Sequence, residues 1–181
     1  KNQINYCKNK SREMNLNNQV NFELADYREI EGQYDRIYSV GMFEHVGKKF
    51  YKTFFKSMNK LLKDDGLFLL HTIGVVDKPS PPNKFINKYI FPGGVCPSLS
   101  QIIQPIEKTG LIVADSETLI RHYDKTLESW LERFLDKKNE VKDLFDEKFV
   151  KMWEFYMASC EAAIRYRDLV VFQLQIVKKF Q

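Results

Sequence analysis

The chain has 181 residues, of which 44% are hydrophobic, 14% aromatic and 29% charged, and its formal net charge is +4. That length suits one domain with a sizeable core, and the composition excludes an intrinsically disordered chain. The mild positive charge permits attraction to phosphate-bearing partners without demanding it; a nucleic-acid binder would concentrate its lysines and arginines on one patch, and no nucleic-acid partner is expected.

From Asn2 to about Met14 the residues suit a polar helix, followed by a turn at Asn15 to Gln19. In VNFELAD, Val20, Phe22 and Leu24 alternate with polar neighbours, which predicts a strand, and YDRIYSV predicts a second. GMFEHVG, residues 41–47, follows directly and sets a glutamate beside a histidine between two glycines. In KKFYKTFFKSMNKLLKDDG, Phe50, Tyr51, Phe54, Phe55, Met58, Leu61 and Leu62 fall on one face at helical spacing, with lysines opposite and Gly66 as the stop. LFLLHTI, an apolar run with His71 near its end, has the pattern of a strand covered on both faces.

Residues 74–100 are rich in proline and glycine yet carry Phe85, Ile86, Tyr89, Ile90 and Phe91. A loop of that length with that aromatic content reads as a lid or binding segment. Ser100 is the expected cap of a short helix ending near Gly110, and LIVADSETL reads as a strand. A helical stretch opens at Asp124, a longer helix is expected from about Val141 to Tyr166, and LVVFQLQIVKK closes the chain as a strand. This order predicts an α/β domain with a mostly parallel sheet, in which ligands sit at the carboxyl ends of strands.

Cys7, Cys96 and Cys160 are widely spaced and lack CxxC pairing, so neither a disulfide framework nor a zinc site is indicated, no metal is expected, and a reducing compartment fits. No stretch approaches the ~18 consecutive apolar residues of a membrane span. All three histidines, His45, His71 and His122, fall near strand ends or in the loops after them. His71 interrupts an apolar run where a polar ring needs a partner, and Glu44 is one candidate. Asp26 reads either as an ordinary strand-terminating carboxylate or as a ligand for ribose or adenine. Tyr123 reads as packing against the helix that follows it.

ADYREI, YDRIYSVGMFEHVG, LKDDGLFLLHTIG, FINKYIFPGGVCPS, HYDKTLESWLERF and RYRDLVVFQLQ together resemble the cyclopropane fatty acid synthase family, in collinear order over nearly the whole chain. The resemblance implies a class I S-adenosylmethionine-dependent methyltransferase (Rossmann-like) fold, with seven strands in the order 3-2-1-4-5-7-6. VNFELAD resembles the third strand, YDRIYSV the fourth, LFLLHTI the fifth, LIVADSETL the sixth and LVVFQLQIV the seventh. On that mapping residues 1–181 are the C-terminal portion of one catalytic domain. The first two strands, the glycine-rich cofactor turn and the family's active-site cysteine are then expected upstream of Lys1, a part expected to be inactive alone; that role is not transferred to Cys7, Cys96 or Cys160.

The same resemblance implies an enzyme that transfers a methylene from S-adenosylmethionine to the double bond of unsaturated acyl chains of membrane phospholipids. A bound bicarbonate would be the base, held by Glu44, His71, the backbone N–H of Ile73 and Tyr123. Gln3, Asp26, Tyr27 and Val40 match positions that line the adenosine pocket, with Arg28 where some relatives have an acidic residue. Tyr89 and Phe91 are candidates for stabilising a cation on the acyl chain. The resemblance also implies a cytoplasmic protein held peripherally at the inner face of the cell membrane, and it allows a homodimer. Lys48, Lys49, Lys52, Lys56, Lys84 and Lys88 would supply the membrane contact, or else form a merely solvated face. The alternatives are a related lipid methyltransferase making a methyl-branched product, and a non-catalytic fragment.

Overall fold

The computed structural model describes residues 2–78, 83–166 and 168–179. The chain divides into two units, Lys1–Gly32 and Gln33–Gln181.

In the first unit Asn2–Glu13 forms helix α1, as its polar helical pattern predicts. Asn15 then takes a left-handed conformation, φ 56°, which asparagine tolerates better than most residues, and the chain turns. Residues 20–26, expected as a strand, are irregular, with Val20 and Leu24 exposed. Alternation only marks a segment able to pair. Without a hydrogen-bonded neighbour among the described residues, VNFELAD has no ladder to join.

The second unit contains β1 (Tyr34–Val40), α2 (Tyr51–Leu61), β2 (Leu62–Val75), α3 (Lys84–Tyr89), α4 (Leu99–Glu107) and β3 (Leu111–Leu119), followed by α5 (His122–Asp136), α6 (Lys138–Leu144), α7 (Glu147–Tyr166) and β4 (Leu169–Lys178). The strands form one sheet in the order β1-β2-β4-β3, which is the 4-5-7-6 succession that the resemblance implies. Only β1 and β2 are parallel; β4 runs antiparallel to both of its neighbours, which corrects the expectation of a mostly parallel sheet. The helices α5 to α7 return the chain to the end at which β2 finishes, where Val75 pairs with Leu169. A strand that begins where its neighbour ends must run the other way.

The aromatic stripe of α2 is core, as its spacing predicts. Tyr51, Phe54, Phe55, Met58 and Leu61 are buried and pack with Phe43 and Phe68 in a cluster of stacked and tilted rings. Phe50, assigned to that stripe by spacing, is instead 43% exposed, because Lys48–Phe50 form a separate 3₁₀ turn ahead of the helix. Ser98, rather than Ser100, caps α4 in a reciprocal box with Gln101. The expected long helix is divided: Asp146 accepts from the Phe149 amide at 2.6 Å, and this cap starts α7 after the break that ends α6. Of the 74–100 segment, residues 79–82 lie outside the described ones, and the part from α3 onward is anchored by its apolar side chains. Phe85 meets Phe155 edge-on, and Phe85, Ile86 and Ile90 pack against the cluster of Leu127, Tyr156, Met157 and Ile164.

Candidate active site

β1 stops at Val40, which lies opposite His71, and Gly41 (φ 65°) takes the chain out of the sheet after its N–H bonds to the His71 carbonyl. Two residues further along β2, the Ile73 N–H points to the same side, past the end of its neighbour. A carboxylate takes the place of the strand there. The 3₁₀ turn Phe43–His45 sets Glu44 so that its Oε1 accepts from the Ile73 N–H at 2.6 Å. Glu44 is only 8% exposed, and its other oxygen, Oε2, is buried with no protein partner among the described residues. The Glu44 carbonyl accepts from Val95 N at 2.9 Å, so the segment after α3 is laced to the same turn.

His71 is on the face of β2 that also carries Ile73, but its side-chain partner is not Glu44. Its Nδ1 lies 3.1 Å from Gln173 Oε1, directly across on β4, and Gln173 Nε2 donates to Glu117 Oε2 on β3 at 3.1 Å. The row His71, Gln173, Glu117 therefore crosses three strands. Glu117, as a carboxylate, can only accept, so the amide nitrogen faces it and the amide oxygen faces His71. His71 then donates from Nδ1, which leaves the lone pair of the neutral ring at Nε2. Composition gave no hint of this row; a glutamine inside the apolar run VVFQLQIV was the available signal.

Three further groups feel the Glu44 charge. Burial first, then Glu44, raises the Tyr123 hydroxyl above its usual range. Burial likewise pushes Tyr51 up to about 12, with Cys96 and Glu44 adding to it, and Cys96 up to about 11, with Glu44 next in size. The Tyr51 hydroxyl, like Glu44 Oε2, is buried without a protein partner among the described residues. Burial and the Glu44 charge thus act in the same direction on Tyr51, Cys96 and Tyr123, and both favour the neutral, proton-bearing form of each. Tyr123 also packs edge-on against Trp130 and beside the α5–α7 cluster, which meets its expected packing role. Neither Tyr51 nor Cys96 is a site residue by the sequence reading: Tyr51 belongs to the aromatic stripe, and Cys96 reads as a thiol outside any disulfide or zinc pattern.

Of the residues matched to an adenosine pocket, Gln3, Asp26 and Tyr27 belong to the first unit and Val40 to the second. Gln3 is exposed on α1. Asp26 is clamped by Arg28: Oδ1 accepts from the backbone N–H and Nε of Arg28, and Oδ2 from its guanidinium at 2.6 Å. These hydrogen bonds hold the Asp26 carboxyl down to about 2. A carboxylate has about four acceptor sites, and Arg28 occupies three of those of Asp26 and so fixes its orientation. Among the described residues, no group of three or more metal-ligating side chains is assembled, and no helix is long and apolar enough to cross a membrane.

A family model described as mycolic acid cyclopropane synthetase matches residues 1–174. The chain belongs to this family. It is 44% identical over 155 residues to the cyclopropane-fatty-acyl-phospholipid synthase of Escherichia coli strain K12, covering 86% of this chain and 40% of that protein. It is 36% identical over 166 residues to the tuberculostearic acid methyltransferase UfaA1 of Mycobacterium tuberculosis, covering 88% of this chain and 39% of that protein. The chain thus spans well under half the length of these curated relatives. Among solved structures, mycolic acid cyclopropane synthase CmaA1 complexed with SAH and CTAB matches with a TM-score of 0.86 at 30% identity, over 98% of this chain and 67% of that one. The cyclopropane synthase MmaA2 from Mycobacterium tuberculosis matches with a TM-score of 0.85 at 27% identity, over the same shares. The fold is that of class I S-adenosylmethionine-dependent methyltransferases, and within this family's sheet the second unit supplies β1, β2, β4 and β3.

Proposed function

We propose that this chain is the C-terminal portion of a catalytic domain that transfers a methylene from S-adenosylmethionine to the double bond of unsaturated phospholipid acyl chains, giving a cyclopropane. The observation that carries the reading is Glu44, a buried carboxylate with one oxygen fixed by the Ile73 amide and the other unpartnered. A buried acceptor of that kind fits a ligand that brings its own O–H.

When bound, S-adenosylmethionine supplies an electrophilic methyl and bicarbonate a base for the proton that leaves it. The alkene is already a nucleophile, so the chain needs no nucleophilic side chain; it must hold the base, tolerate transient positive charge and exclude water. Glu44 Oε2 would accept the O–H of the planar anion. Tyr123, kept neutral, would donate to another of its oxygens. His71, held by Gln173 at Nδ1, presents Nε2, which donates when the ring is charged and accepts when it is neutral. The Ile73 N–H, already given to Glu44, acts by fixing that carboxylate. Asp26, Tyr27, Gln3 and Val40 are the residues assigned to adenosine.

For the acyl-chain cation, Phe91 is the better of the two aromatic candidates. The Lys88 ammonium sits 4.9 Å from the Tyr89 ring centre and already covers that ring. Peripheral contact with the inner face of a membrane would bring exposed lysines of α2 and α3 to the anionic surface, and a homodimer is compatible with this reading.

The 36% identity to a tuberculostearic acid methyltransferase favours a second reading, transfer of the same carbon to give a methyl-branched chain. One experiment separates the two. The complete protein is given S-adenosylmethionine with a labelled methyl and a phospholipid bearing a monounsaturated chain, and the product is analysed by mass and by proton NMR. Gain of CH₂ with loss of the alkene and appearance of ring protons supports the cyclopropane; gain of CH₂ with the alkene retained, or no transfer, overturns it.

A further inference from the structure

A hollow of about 400 Å³ lies between the turn Lys48–Phe50, the start of α2 and one face of α4. Lys48, Lys49, Lys52 and Lys108 line it, with Ser100 and Gln104 between them, and among the described residues no carboxylate is present in its wall. Elsewhere in the same unit Lys63, Lys137, Lys138 and Lys178 each hold a carboxylate. Among the described residues, none of the four lysines of the hollow does so, and Lys49 rests over the Phe50 ring at 4.8 Å.

The walls are held from behind. Ile102 and Ile106 of α4 and Tyr51 and Phe54 of α2 are buried, and the Asn59 side-chain amide donates to the Thr109 carbonyl, tying the end of α2 to the residue just past α4. Four ammonium groups around one fixed concavity focus positive potential there, and an anion with several acceptor oxygens relieves their repulsion. Lysines act as compact point charges rather than planar forks, which suits the tetrahedral phosphate group better than a bidentate carboxylate. Phe50, 43% exposed beside Lys49, adds an apolar ring next to the amines, the combination that settles at a bilayer interface with the ring toward the acyl boundary.

We propose that this hollow is a phosphate subsite whose occupant is the headgroup phosphate of a membrane phospholipid. The proposal rests on the reading of this chain as part of an enzyme acting on phospholipid. It gives that enzyme a definite point of attachment, distinct from a diffuse basic surface.

The test uses the complete protein and vesicles of phosphatidylcholine with added phosphatidylglycerol. Lys52 and Lys108 are exposed, so Lys52→Gln with Lys108→Gln leaves the core intact. Lys125→Gln with Lys148→Gln, also exposed and outside both the hollow and the lysines assigned to membrane contact, removes the same charge. The expected result is a loss of vesicle affinity of about 30-fold for the first pair, from about 1 kcal/mol per lysine, and less than about 3-fold for the second. Equal losses for the two pairs would mean a diffuse basic surface and overturn the subsite. So would vesicle binding that the first pair leaves unchanged. Titration with glycerol 3-phosphate is the second arm; saturation as tight as that of vesicles would identify a site for a free anion and overturn the headgroup as occupant. Wild-type protein that binds no vesicle overturns the proposal too. Methylene transfer to detergent-dispersed phospholipid, followed in parallel, tests the enzymatic reading separately, so the two can fail independently.

Discussion

The Ile73 backbone N–H, left without a strand neighbour where β1 ends, donates to Glu44 Oε1 at 2.6 Å. The turn Phe43–His45 and the strand β2 are thereby fixed to each other through one carboxylate. On the proposed reading Glu44, buried and fixed in this way, and not the adjacent exposed His45, is the chemically useful half of the pair between the two glycines. In the complete protein, Glu44→Gln is expected to lower turnover by at least about 100-fold, the range of a lost acid–base group, while S-adenosylmethionine affinity changes by less than about 3-fold. Turnover measured beside equilibrium cofactor binding checks this, and equal loss of both would remove Glu44 from the chemistry.

The His71, Gln173, Glu117 row makes a second expectation. Gln173→Leu removes the acceptor at His71 Nδ1 while keeping the strand apolar, and turnover is expected to fall by about 10-fold, the equivalent of one hydrogen bond of about 1.4 kcal/mol. Nitrogen-15 NMR of the His71 ring should show the Nδ1–H tautomer in the parent and a mixture in the variant. An unchanged tautomer together with unchanged turnover would assign Gln173 to packing alone.

Gly74 is required by close approach. A Cβ there would lie 2.3 Å from the Phe172 ring and 2.6 Å from the Pro97 carbonyl, and neither can retreat, one being in the core and the other accepting from Val75 N. Gly74→Ala is expected to destabilise the protein by about 1–3 kcal/mol, read as a lowered denaturation midpoint. A midpoint equal to the parent's would show that Phe172 and the Pro97 segment can move aside at no cost.

Burial pushes the thiols of Cys96 and Cys160 up from 9.0 to about 11, and the Glu44 charge adds to the shift at Cys96. Below pH 9 both folded and unfolded forms hold these protons, so they add no pH dependence. Between pH 9 and 11 the unfolded chain releases protons that the folded chain keeps, and stability is expected to fall as pH rises, by up to about 1.4 kcal/mol per unit for each thiol. Denaturant titrations across that window, with alkylation rates for the two residues that stay low at pH 8, would check it. A flat profile from pH 9 to 11 would contradict the burial of these thiols.

Much of the second unit could be read from periodicity. LIVADSETL and LVVFQLQIVKK became β3 and β4 almost to the residue, and the aromatic stripe of α2 became core. These patterns are local and record which face each element buries. VNFELAD could not be judged in that way, because a strand is defined by its neighbour and no alternation supplies one. The direction of β4 was hidden for a related reason: it depends on where α5 to α7 deliver the chain. At the site, the side chains carry recognisable chemistry, but the Ile73 amide has no side-chain signature of its own and came to notice only through the resemblance. Gln173 became meaningful only once the β2–β4 register set it opposite His71.

The bond from Val95 N to the Glu44 carbonyl has a practical consequence for redesign. Farther along the same segment, Pro97 holds Val75 and Ser98 bridges to Val75, so the aromatic stretch after α3 reaches β2 with its main chain already fastened beside the carboxylate. Inserting or deleting residues between Phe91 and Val95 would therefore drag Glu44 with it. On the proposed reading, the fit of an acyl chain is better altered by exchanging side chains such as Phe91 at constant backbone length, where specificity can drift without retuning the turn that bears the carboxylate.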